Sequence, residues 1–73
     1  MFLSELPQGS RARVVRIEGT DELSVRLLEM GLTPGVEISF RGKAPLGDPL
    51  EFEVRGYRLS LRKAEAARVE IQR

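Results

Sequence analysis

Apolar and polar residues alternate through most of the second half of the chain. Val36, Ile38 and Phe40 alternate with Glu37, Ser39 and Arg41, and Leu50, Phe52 and Val54 with Glu51, Glu53 and Arg55. Leu59 and Leu61 alternate with Arg58, Ser60 and Arg62, and Val69 and Ile71 with Arg68, Glu70 and Gln72. A period of two sends one set of side chains inward and the other into water, which predicts four half-buried strands. The β-branched run from Arg11 to Ile17 predicts another, with a bulge where the apolar face changes at Val14-Val15. A helical period occurs once, at Leu23, Leu27 and Met30 with Leu28 beside them. Thr20 reads as its N-cap, Asp21 and Glu22 as its acidic first turn, and Glu22 with Arg26 as an i,i+4 pair. Gly31 supplies the left-handed residue that ends it, with Leu32 folding back on Leu27.

The connections are short. Leu3-Ser4-Glu5-Leu6 predicts one helical turn that caps the core, and Pro7-Gln8-Gly9 a tight turn after it. Thr33-Pro34-Gly35-Val36 has the type II pattern, and Gly56-Tyr57 closes a hairpin. Residues 42 to 49 form the longest loop, stiffened by Pro45 and Pro49. Lys63 to Ala67 is helix-prone but too short to stand alone. The expected fold is mainly β: a small, strongly bent five-stranded antiparallel sheet closing on itself, with one interposed α-helix, spanning residues 1 to 73 as a single domain.

Composition narrows the function classes. The chain has 12 basic and 11 acidic residues, and four basic against five acidic residues up to Val36 with eight against six after it leave no charged tail. That balance excludes a generic polyanion binder. With neither cysteine nor histidine, disulfides, thiolate chemistry, imidazole bases and zinc-finger spacings are all ruled out. Glu29, Asp48, Glu51, Glu53, Glu65 and Glu70 are scattered, so no metal site, cofactor or catalytic residue is expected. No apolar run is long enough to cross a bilayer, and the cytoplasm is the expected compartment.

Four motifs in order carry a family resemblance: Leu3 to Gly9; Arg26-Leu27-Leu28-Glu29-Met30-Gly31-Leu32-Thr33-Pro34-Gly35; Ala44-Pro45-Leu46-Gly47-Asp48-Pro49; and Leu59 to Ala66. The sequence resembles the FeoA family, ferrous iron transport protein A. The resemblance implies an SH3-like β-barrel, and an accessory protein of ferrous iron uptake that works with the membrane permease FeoB, whose cytosolic part carries a GTP-binding domain. On this reading the chain is a non-catalytic interaction module.

The residues that such a module would use are then few. The segment Ala44, Pro45, Leu46, Gly47, Asp48 and Pro49 is the preferred contact surface, because a stiff loop loses little entropy on docking. Leu46 either stands exposed there or tucks over an open end of the barrel. Arg58 and Arg62 on the wet side of the hairpin offer charge to an acidic partner or, in a catalytic variant, an arginine to bound GTP. Met30 either fills the core or shows an apolar spot beside it. An exposed strand edge or the Leu46 loop would also permit weak self-association. The alternative function is an RNA- or ribosome-associated barrel, which requires Arg55, Arg58, Arg62 and Lys63 to form one positive face.

Overall fold

The computed structural model describes all 73 residues. After a 3-10 turn at Leu3–Glu5 come β1 (Arg11–Ile17), α1 (Glu22–Glu29), β2 (Glu37–Lys43), β3 (Leu50–Val54), β4 (Tyr57–Leu61), the single turn α2 (Lys63–Ala66) and β5 (Val69–Gln72). The five strands form one antiparallel sheet in the order β4-β3-β2-β1-β5. No ladder joins β4 to β5, so the barrel has a seam. The 3-10 turn packs between β5 and α2, with the Ile71 amide donating to the Met1 carbonyl at 2.8 Å.

Alternation has the expected result. Val36, Ile38, Phe40, Leu50, Phe52, Val54, Leu59, Leu61, Val69 and Ile71 are all buried and belong to one apolar cluster. Phe40 and Phe52 stand opposite each other on β2 and β3 with ring centroids 5.2 Å apart. The bulge at Val14-Val15 is present where the β1–β5 register slips between Val14 and Arg16. Helix α1 ends as its sequence dictates. Gly31 takes φ +104°, the Leu32 amide donates to the Leu27 carbonyl at 3.2 Å and the Gly31 amide to Leu28 at 3.0 Å. Both hydrogen bonds of a Schellman ending are therefore made.

Four local expectations are corrected, and the helix-prone stretch after β4 is completed by its surroundings. The N-cap is Asp21 rather than Thr20: its carboxylate accepts the Ser24 amide at 3.4 Å and also the Arg68 guanidinium, which a threonine hydroxyl cannot match. Glu22 and Arg26 form no ion pair; both are exposed, where water competes with the contact. Strand β2 runs on through Gly42 and Lys43 because a second bulge, between Phe40 and Gly42, keeps its ladder with β3 in step, so the long loop shrinks to residues 44 to 49. The hairpin turn is Arg55-Gly56, with φ +51° and +84°, and Tyr57 begins β4. A two-residue hairpin loop of this kind needs positive φ at both central positions, and an arginine gives little warning that it will supply one. Residues 63 to 66 do form a helical turn, because the Arg62 amide donates to Glu65 Oε1 at 2.8 Å and Ala66 is fully buried.

Candidate functional site

The loop between β2 and β3 is closed at its base and rigid at its tip. The Ala44 amide donates to the Pro49 carbonyl at 3.0 Å, and the Gly47 amide to the Ala44 carbonyl at 2.8 Å. Gly47 takes φ +88°, which a Cβ would oppose, and the Asp48-Pro49 bond is cis. Pro45 and Leu46 occupy the two corners of the turn, and Leu46 is 97% exposed. It does not tuck over the end of the barrel.

Asp48 ties this loop to another part of the chain. Its Oδ1 accepts the Lys63 amide at 2.9 Å, an N-terminal N–H of α2 that has no partner inside the helix. The loop is thereby fixed beside Arg62 and Lys63, both exposed. A groove of about 320 Å³ opens at the loop's foot, where Lys43 and Leu50 bracket it. Its apolar floor is made by Leu6, Pro7, Phe40 and Leu50, and Lys43 and Lys63 also line it. The arrangement is a rigid apolar tip next to a groove of mixed lining, in which Ser4, Gln8 and the ammonium groups of Lys43 and Lys63 surround the apolar floor. No three carboxylates lie together in a way that would hold a metal ion.

The remaining candidates lie elsewhere. Tyr57, the first residue of β4, donates its hydroxyl to the Met30 carbonyl, so Met30 sits by the turn end of the β3–β4 hairpin, while the Leu46 loop joins the other end, β4 itself being about 13 Å long. Met30 is half-buried against the core, while Leu28 beside it is exposed. Arg58 follows Tyr57 and is exposed; the residue opposite it, Glu53, is engaged by Arg41 at 2.7 Å. The structure thus brings residues 44 to 49 together with Arg62 and leaves Arg58 and Met30 apart. Arg55 and Arg58 stand at one end of the hairpin and Arg62 and Lys63 at the other, and the carboxylates of Glu53 and Glu51 on the same face between them break up any single positive patch.

Sequence reasoning missed three things here. The groove draws on Pro7 and Lys43, which are far apart in the chain and meet only in the fold. The Asp48–Lys63 bond spans 15 residues and had no local signal beyond an aspartate ahead of a helix-prone stretch. The third is the pairing of Asp21 with Arg68 at 2.6 and 2.9 Å. The Arg68 guanidinium holds the Asp21 carboxyl below the usual carboxylate range and is itself held above its ordinary value by the same hydrogen bond.

Comparison with known proteins decides the family. The FeoA domain model matches residues 1 to 73. The chain belongs to the FeoA family. A curated relative, the Fe(2+) transport protein A/Fe(2+) transporter FeoB fusion protein of Porphyromonas gingivalis, is 42% identical over 72 residues, which cover 99% of this chain. The chain spans 8% of that fusion protein's length. Among solved structures, the FeoA-like protein of Clostridium acetobutylicum superposes with a TM-score of 0.91 at 38% identity, covering 99% of this chain and 84% of that one. Stenotrophomonas maltophilia FeoA, solved with zinc and described as a procaryotic SH3 domain protein, gives 0.86 at 37% identity, covering 99% and 89%. The family is associated with ferrous iron transport, and the barrel is SH3-like. No helix is long and apolar enough to cross a membrane.

Proposed function

We propose that the chain is a non-catalytic docking module that acts, on the cytoplasmic side, on the GTP-binding part of the ferrous-iron permease FeoB, through the loop from Ala44 to Pro49 with Arg62 beside it. The observation that carries this reading is Leu46, 97% exposed at the tip of a loop closed by its own hydrogen bonds and by Asp48. A large apolar side chain held out in water on a rigid support costs little to immobilise, and covering it contributes about 1.5–3 kcal/mol. The fusion of the two proteins in the Porphyromonas gingivalis relative supports the choice of partner.

Such a module changes its partner only through unequal affinity for two of the partner's states. A differential of about 1.4 kcal/mol shifts the balance tenfold, so burial of one leucine in one state and not the other is enough. The groove at the loop's foot offers room for a side chain of the partner, and Arg62, Lys43 and Lys63 suit an acidic one. Titration of the isolated cytosolic domain of FeoB with this protein, followed by calorimetry in the GDP-bound and GTP-analogue-bound states, tests the proposal. It expects binding that differs between the states; no heat in either state at high micromolar concentration sinks it.

A further inference from the structure

A second groove, of about 450 Å³, lies on the outer face of β1 and shares no residue with the Leu46 loop. Arg11 and Arg13, two apart on β1, point to the same face, and Arg73 follows the end of β5. Arg13 stands opposite Glu37 on β2 and Gln72 on β5, and both line the groove. Elsewhere Arg16 is matched to Glu18 and Glu70, Arg41 to Glu53 and Arg68 to Asp21, while Arg26, Arg55, Arg58 and Arg62 form no ion pair; only here do three unpaired arginines line one cavity. None of the three in this groove has such a partner, and Glu37 beside them forms no ion pair.

Two of the three are nevertheless positioned. Arg13 Nη1 donates to the Gly35 carbonyl at 3.1 Å and Arg73 Nη2 to Ser10 Oγ at 3.2 Å. Each bond uses one of five N–H donors and leaves the rest for a ligand. Three guanidiniums against one carboxylate raise a local positive potential that a bound anion relieves. The lining contains no aromatic ring, so bases have nothing to stack on. Glu37 opposes any anion here, so the three guanidiniums must outweigh its charge. Guanidinium forks match the paired oxygens of a tetrahedral oxyanion.

We propose that this groove is an anion site that takes a phosphate group, free or at the end of a small phosphorylated molecule, held by Arg11, Arg13 and Arg73. The test is an amide-shift NMR titration of the full chain with inorganic phosphate, pyrophosphate and GDP, with ionic strength held constant by chloride. Saturable shifts are expected at Arg11, Arg13, Glu37 and Gln72, with pyrophosphate tighter than phosphate and GDP equal to pyrophosphate. Arg11→Gln and Arg13→Gln each weaken binding about tenfold, and Glu37→Gln strengthens it. Arg11 makes no hydrogen bond through its side chain, so Arg11→Gln and Glu37→Gln decide the matter even if Arg13→Gln loses stability. Shifts that do not saturate, that chloride reproduces, that the arginine variants leave unchanged, or that GDP alone produces would overturn the proposal. Leu46→Asp binds phosphate as the parent does, which separates this site from the docking loop.

Discussion

The Asp48 carboxylate accepts the Lys63 amide at 2.9 Å, so one side chain both anchors the β2–β3 loop and caps α2. The two functions stand or fall together. Asp48→Ala leaves a helical N–H without its partner and should cost about 1 kcal/mol, with values near 0.5 to 2 for caps of this kind. In a domain of this size that is a fall in thermal midpoint of about 4–8 °C. Asp48→Asn keeps an oxygen in place and should recover most of the loss. Thermal denaturation followed by circular dichroism measures both.

Gly31 and Tyr57 form a second coupled pair. Gly31 has φ +104°, and a Cβ there would lie 2.5 Å from the Tyr57 hydroxyl. Gly31→Ala should therefore destabilise by about 1–3 kcal/mol, from backbone strain and from displacing the tyrosine off the Met30 carbonyl. Tyr57→Phe removes one hydrogen bond, worth about 1 kcal/mol. Because Phe also removes the atom in the way, the double variant should be less destabilised than the two single effects added. Denaturant melts of the four proteins give that coupling directly.

Acid weakens the fold partly through Asp21. Its carboxyl is held below the usual range in the folded chain, chiefly by the hydrogen bond from Arg68. A carboxyl with a lower folded than unfolded pKa adds stability that is complete above its unfolded value, about 3.9, and is lost as pH falls through the folded value. Asp21→Asn keeps an N-cap but has no proton to lose, so it should lower stability at neutral pH and flatten the decline below about pH 4. Chemical denaturation across that window, comparing the slopes of the two proteins, is the check.

What could be read in advance follows from how local each cause is. The strands were legible because alternation is a property of neighbours, and the end of α1 because Gly31 and Leu32 act within one turn of Leu27. The Asp21 cap was misplaced by one residue because its second partner, Arg68, comes 47 positions later. The Arg55-Gly56 turn was misplaced because a positive φ at arginine is enforced by the β3–β4 register and not by the residue. The candidate site divides in the same way. The two prolines marked the loop from the sequence, while its tether to Lys63, the groove floored by Pro7 and Phe40, and the distance to Met30 and Arg58 depend on the closure of the sheet.

In the proposed docking module Leu46 serves as the handle for a partner and contributes nothing to the fold. Leu46→Asp tests this most directly. At 97% exposure the substitution should change folding stability by no more than about 0.5 kcal/mol. Calorimetric titration of parent and variant into the cytosolic domain of FeoB should show binding by the parent weakened at least tenfold in the variant. Equal affinity for the two proteins, with both folded, would contradict the account.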